Sequence, residues 1–408
     1  MSVRQRLHPG PGQEEILSRH CSDARFVYNL GLEQRNLWRR NRTTKVTYIT
    51  QARELAEARK AFTWLKEGSS VVQQQALRDL DRAFQNWWSG SHRRPTWRKA
   101  GQNEGFYIRD VSVRKLNRKW GQIFVPKAGW IRFRLTRAFA KIEACSSARV
   151  TLDRAGRWHV SFTQPQPGLV REPTGATVGL DMGIASTVTT SEGTQLHMPQ
   201  LLSPGEAQRK RRLQRKLARQ KKGSKRRART KLSIAKLSAR ESDRRKDWIE
   251  KTTTNLVREY DLIAVEDLQV KNMVRSAKGT LDNPGKNVAQ KRGLNREILY
   301  QSWSLFRKRL EDKSANAASP VVVVAVNPRF TSQTCSQCES IAAKNRKNQA
   351  VFACVACGYT ANADINAAQN ILAAGLAVAG RGGTPQAKPI RAKHSGPMKR
   401  QPPSGLVA

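Results

Sequence analysis

Cys335-x-x-Cys338, fifteen intervening residues, and then Cys354-x-x-Cys357 constrain this chain more tightly than any other feature. Two such knuckles at that separation close a tetrahedral four-thiolate zinc ribbon, and with sulfur filling every position the Zn²⁺ is structural. The other two cysteines, Cys21 and Cys145, stand alone. That usage fits a reducing, intracellular compartment rather than a disulfide scaffold. Seven positions after Cys357, in CVACGYTANADINAAQN, Asp364 opens an apolar helical pattern. A thiolate metal site therefore runs directly into a solitary carboxylate.

That carboxylate is conspicuous because the chain is so basic. Its 408 residues hold 75 Lys and Arg against 31 Asp and Glu, a net charge of +44. Self-repulsion on that scale calls for a polyanion, so RNA or DNA is the expected partner. The plainer alternatives are a ribosomal-type or histone-like coat protein, or a basic protein on an acidic membrane. No apolar run approaches the roughly 20 residues of a membrane span. MSVRQRLHPGPGQEE lacks the apolar centre of a signal peptide, so a cytoplasmic protein with no membrane partner is predicted.

Periodicity gives the organisation. Ile16, Leu17, Ala24, Val27, Tyr28 and Leu32 recur at helical spacing, as do Val72, Ala76, Leu80, Ala83, Phe84 and Trp87, predicting a small helical domain. From Phe106 to about residue 164, short alternating runs broken by Gly and Pro predict a β-barrel or sandwich, its aromatics packed inside. After a Pro/Gly linker, Val178–Asp181 reads as a buried strand and Ser191-Glu192-Gly193 as a hairpin turn. Residues 208–246 carry 19 Lys or Arg against two acids, yet Leu213, Leu217, Ile234 and Leu237 keep a thin apolar stripe on either side of Gly223. Two helices gripping phosphate follow, with Arg211, Lys216, Arg219, Lys222, Lys225 and Arg229 as contacts. YDLIAVEDLQV is a further buried strand, EILYQSWSLFRKRLEDKSA one amphipathic helix, and PVVVVAVNP a strand apolar enough to be central in its sheet. Arg329 and Arg346, flanking the first knuckle, are additional candidate nucleic-acid contacts.

The chemistry rests on three acids. Asp181 ends one apolar strand, Glu266 ends another, and Asp364 opens the last helix. Singly each has an ordinary reading: a turn former, an Arg partner, a helix N-cap. Together they fit a site for two Mg²⁺ ions that activates water and stabilises the leaving oxygen of a phosphodiester, with Mn²⁺ as a substitute. The order strand with Asp, hairpin, helical insert, strand with Glu, helix, strand, helix with Asp reproduces an RNase H-like layout. No Walker-type loop or Ser/His/Asp set competes.

In order, GLDMGI, VEDL, RFTSQTCSQC, CVACGYTANADINAAQNILAAG and the N-terminal ARFVYN resemble the TnpB nucleases of insertion sequences and the compact type V CRISPR effectors, over residues 10 to 380. The resemblance implies a multidomain α+β protein. A first wedge strand (1–10) precedes a helical recognition insert (11–104), a β-barrel wedge (105–166) and a linker (167–172). A RuvC-type nuclease (173–330) carries the basic hairpin and is followed by the zinc ribbon (331–360), the last RuvC helix (361–380) and a basic disordered tail (381–408). It also implies a guide RNA and target double-stranded DNA as partners, and one site of Asp181, Glu266 and Asp364 cutting both strands beside a short flanking motif; one protein per RNA is the expected stoichiometry. Gln74, in WLKEGSSVVQQQALRDLDRAF, is then a contact to that motif. An RNA-guided repressor with a dead site and an RNase H-like transposase are the rival readings. Glu339-Ser340 stand where many members have Gly after the second cysteine, predicting an altered first knuckle.

Overall fold

The computed structural model describes residues 2–37, 45–136, 138–163 and 168–380. The predicted tail, 381–408, and the start of the linker lie outside the described residues. The described residues divide into two compact units, 2–163 and 168–380.

The first unit opens with strand β1 (Ser2–His8), followed by helices α1 (Pro11–Leu37), α2 (Tyr48–Ala61), α3 (Thr63–Glu67) and α4 (Ser70–Trp88). Strands β2 (Gly105–Arg109), β3 (Val113–Lys115), β4 (Trp120–Val125) and β5 (Gly129–Arg134), the short helix α5 (Ala140–Glu143), β6 (Ser147–Leu152) and β7 (Trp158–Thr163) complete it. The strands form one antiparallel sheet, ordered β2-β6-β7-β1-β5-β4-β3. β1 changes partner along its length: Ser2–Arg6 face β7, while Leu7 and His8 face β5. Thr47 and Ser69 cap α2 and α4, supplying oxygen to first-turn amides that have no partner inside the helix. The apolar stripes of α1 and α4 bury Leu17, Val27, Leu32, Val72, Leu80 and Phe84 in the core that also holds Ile123, Phe133, Val160 and Phe162 from the sheet.

The second unit is built on a five-stranded sheet, β8 (Thr177–Asp181), β9 (Val188–Thr190), β10 (Gln195–Leu196), β11 (Leu262–Glu266) and β12 (Val322–Val326). Its order is β10-β9-β8-β11-β12, with β8, β11 and β12 parallel and β9 and β10 antiparallel. α6 (Pro204–Arg219) and α7 (Lys225–Glu259) form the hairpin between β10 and β11, turning at Gly223 with φ +85°. Between β11 and β12 lie α8 (Val270–Met273), α9 (Val288–Gln301) and α10 (Trp303–Ala315). After β12 come β13 (Val351–Ala353), β14 (Thr360–Asn362) and the closing helix α11 (Ala363–Gly380).

Two expectations are corrected. Among the described residues β12 lies at the edge of its sheet, paired with β11. Its apolarity comes from helices on both faces: Val321 and Val323 join the core that holds Phe306 and Leu310 of α10, while Val324 and Val326 share a cluster with Ile371 of α11. The helix predicted over EILYQSWSLFRKRLEDKSA breaks at Ser302, which takes φ +57° between α9 and α10. The break lets Gln301 turn inward, where its side chain bonds Thr187 Oγ1 at 3.0 Å and the Ile184 carbonyl at 3.1 Å.

Side-chain parity then decides what faces α11. On β8, Val178 and Leu180 join the core under α7 and α10, as do Ile263 and Val265 on β11. The alternate residues, Gly179, Asp181, Ala264 and Glu266, face the other way, toward α11. The helix seats there because two positions have no side chain to spare. A Cβ on Gly179 would stand 2.1 Å from the Ala368 carbonyl oxygen, and one on Gly375 would stand 2.4 Å from the Ala264 Cβ. Gly179→Ala is therefore expected to lift α11 and destabilise this unit by about 1–3 kcal/mol, the usual cost of overpacking. Denaturant unfolding checks this, and a wild-type midpoint would contradict it.

Candidate active site and zinc ribbon

β8 and β11 run parallel with Leu180 opposite Val265, so the next residues, Asp181 and Glu266, leave the sheet at the same level and on the same face. α11 brings Asp364 to that end in its first turn. Asp364 is not the cap of its own helix. Asn362 Oδ1 accepts the amides of Asp364 at 2.9 Å and Ile365 at 3.3 Å, which leaves the Asp364 carboxylate available for other work.

The crowding is visible in the electrostatics. Burial, then the negative charges of Glu266 and Asp364, push the Asp181 carboxyl up to about 7. Burial also raises Glu266, opposed by a 2.7 Å hydrogen bond from Thr331 Oγ1 to its Oε1. Arg346, from the ribbon, reaches Asp364 Oδ1 at 3.4 Å and lowers Asp181 by its charge. Asp267, next to Glu266, is diverted from the cluster by the Arg307 guanidinium at 2.5 Å.

Among the described residues, the four cysteines are the group whose ligand atoms all lie within 4.8 Å of one another. The three carboxylates are spread more widely than that. Cys335 and Cys357 Sγ stand 3.7 Å apart, and Cys338 and Cys354 Sγ 3.6 Å apart. A tetrahedron with 2.3 Å metal–sulfur bonds has edges of about 3.8 Å, so the donor set fits zinc. Backbone amides of Cys357 and Ala356 pull the Cys354 thiol down, while hydrogen bonds with the neighbouring sulfurs, outweighing one from the Ser340 amide, push Cys338 up. The first knuckle is not reshaped by the missing glycine: Glu339 itself adopts φ +60°, while Gly358 holds φ +74° in the second. The turn is kept, at the steric cost of a side chain in the left-handed region.

Ribbon and helix are stitched together. Asn366, fully buried, accepts the Ser336 amide at 3.0 Å and donates to the Thr334 carbonyl at 2.8 Å. One turn later Asn370 donates to the carbonyls of Thr331 at 2.9 Å and Thr334 at 2.7 Å.

The predicted nucleic-acid contacts are placed as follows. Arg211, Lys216, Arg219, Lys222, Lys225 and Arg229 are exposed on α6, the turn and the start of α7. Arg212, Arg215, Lys216 and Arg219 line a hollow of about 360 Å³. The hairpin itself is held by its few acids: Glu206 takes Arg240 and Arg244, Glu241 takes Lys210 and Arg245, and Arg227 donates to the last carbonyls of α6. Gln74 is exposed beside Arg59, Lys60 and Lys66 around a hollow of about 400 Å³. Arg329 is exposed, its guanidinium over the Phe330 ring at 4.7 Å. Arg346 is half-buried and reaches the acid cluster, and neither its place there nor that of Thr331 had any local signal in the sequence.

A carboxyl raised from 3.8 to about 7 keeps its proton in the folded chain after the unfolded chain has lost it. The stability it contributes is complete below pH 4 and disappears as pH rises through 7. In Mg²⁺-free buffer, Asp181→Asn is expected to raise the melting temperature by several degrees at pH 8 and to leave it nearly unchanged at pH 4. An equal shift at both pH values, or none, would contradict the crowding.

Comparison with known proteins agrees with this layout. A family described as a probable transposase matches residues 159–277, a Cas12f1-like TNB domain matches 303–371, and a helix-turn-helix domain matches 1–43. The described residues of that last segment form one strand and one helix. The putative RNA-guided DNA endonuclease InsQ of Escherichia coli K12 is 37% identical over 91% of this chain and 91% of its own. A putative RNA-guided DNA endonuclease of Streptomyces pristinaespiralis is 33% identical over 98% and 96%. In the solved Cas12f1–sgRNA–target DNA complex, a chain 13% identical superposes with a TM-score of 0.56, covering 89% of this chain and 83% of that one, and so shares the fold. Identity at that level along nine tenths of both chains makes this protein a member of the TnpB family of RNA-guided DNA endonucleases, to which Cas12f1 is related.

Proposed function

We propose that the protein is an RNA-guided endonuclease that cuts double-stranded DNA beside a short flanking motif, using Asp181, Glu266 and Asp364 as one active site for both strands. The observation that carries this is the convergence of the three acids at one end of the sheet: Asp181 and Glu266 lie level on adjacent strands and α11 brings Asp364 beside them, so that burial, then the charges of Glu266 and Asp364, push the Asp181 carboxyl up to about 7. One buried and two half-buried carboxylates converging in a strongly basic protein suit divalent cations. The sheet order, two antiparallel pairings (β10–β9 and β9–β8) then two parallel ones (β8–β11 and β11–β12), supports an RNase H-like core of the RuvC type, interrupted by the α6–α7 hairpin and by the ribbon. The seven-stranded sheet and α1–α4 serve as wedge and recognition insert, and the four thiolates hold one structural Zn²⁺.

Two Mg²⁺ ions at this site would supply an activated water and stabilise the leaving oxygen of the phosphodiester. The residues do the holding. Asp181 and Glu266, fixed by adjacent strands, set one side of the site; Asp364, fixed by α11, sets the other; Arg346 steers Asp364. The exposed arginines and lysines of α6 and α7 grip backbone phosphates without reading sequence, which base pairing to the guide RNA supplies.

Protein purified with its co-expressed RNA should cut a matched duplex in Mg²⁺ and not in EDTA. Asp181→Ala should lower the rate at least about 100-fold, as expected when a metal ligand is removed. Equal cutting by wild type and variant would refute the site. Tight guided binding without cutting at any flanking motif would favour a repressor.

A further inference from the structure

The hydrogen-bond network assigns a role to Thr331 that acid-for-acid reasoning misses: we infer that its hydroxyl is the positioning group for Glu266. This rests on the active-site reading above and adds a residue to it. Thr331 lies in the loop between β12 and the first knuckle and is 8% exposed. Its Oγ1 stands 2.7 Å from Glu266 Oε1 and 3.1 Å from the Pro328 carbonyl. A hydroxyl has one proton to give, and the carboxylate is the nearer and more strongly charged acceptor. Glu266 extends from the last residue of its strand on three rotatable bonds, so a fixed donor at one oxygen selects the rotamer in which the other is free for a metal.

The donor is itself fixed from the far side of the site. Asn370 holds the Thr331 carbonyl at 2.9 Å, and Asn370 sits on α11, the helix that carries Asp364. Asn366 on the same helix holds Thr334, three residues further along the loop, at 2.8 Å. One helix thus sets both acids: Asp364 directly, and Glu266 through Asn370 and Thr331. The simpler alternative is that the hydroxyl only satisfies the Pro328 carbonyl in a local turn. In that case its loss costs stability but leaves the metal site as it was.

The test is Mn²⁺ binding to the protein–RNA complex by electron paramagnetic resonance, with zinc content, melting temperature and target affinity measured alongside. Thr331→Val should weaken Mn²⁺ about tenfold, in the range seen when a group that orients a metal ligand is removed. Zinc content and target binding should stay at wild-type values. Cleavage should lose kcat without a change in KM for DNA, and regain part of it at high Mg²⁺. Thr331→Ser, which restores the hydroxyl, should return Mn²⁺ affinity close to wild type. Wild-type Mn²⁺ affinity in Thr331→Val, with affinity lost in Glu266→Gln, would overturn the role of Thr331 and leave the acid site standing. Wild-type affinity in Glu266→Gln as well would overturn the active-site reading itself. Thr331→Ser as weak as Thr331→Val would assign the effect to packing and overturn the proposal. If Thr331→Val does not fold, Asn370→Ala should weaken Mn²⁺ in the same direction by a smaller factor, and wild-type affinity there would also overturn it.

Discussion

Like charges held at one end of a sheet cost free energy, and the second unit is arranged around that cost. Strand parity sends Asp181 and Glu266 to the α11 face, and α11 adds Asp364 to the same end. Burial multiplies the repulsion, because a carboxylate removed from water is stabilised only by what the protein places beside it. Arg346 offsets part of it, and in the proposed working state divalent ions offset the rest. The packing beneath follows from the same need: Gly179 and Gly375 let the helix approach the strands closely enough to deliver its acid.

The thiolate ribbon and the lone carboxylate after it are parts of one construction. β14 leaves the second knuckle, Asn362 ends it and caps α11, and Asp364 follows at once. Asn366 and Asn370, spaced by one turn, then fasten the same helix to the loop before the first knuckle. The short run from Cys357 to Asp364 is therefore a rigid return from the ribbon to the sheet.

Local signals in the sequence carried much of this layout. The strand at Val178–Asp181, the hairpin at Ser191–Gly193, the strand before Glu266, the basic helical hairpin and the thiolate group were readable because each has a period, a turn or a spacing of its own. Lateral position was not readable: β12 is as apolar as a central strand because helices cover both of its faces, which says nothing of its neighbours in the sheet. The break at Ser302 carries no Gly or Pro to announce it and depends on Gln301 finding partners more than 100 residues away. Glu339 shows the opposite case, a turn maintained by its surroundings in spite of the residue occupying it. Arg346 and Thr331 reach the acid cluster only through the folded ribbon, so no window of sequence around either contains the signal.

The most direct test of this coupling is Mn²⁺ affinity in the presence and absence of the ribbon's metal. Cys354→Ser, with zinc lost and the helical and sheet content retained by circular dichroism, should bind Mn²⁺ at least about tenfold more weakly than wild type, because Asp364 and the Thr331 loop lose their common anchor. Unchanged Mn²⁺ affinity in zinc-free protein would contradict the coupling and make the ribbon an independent module.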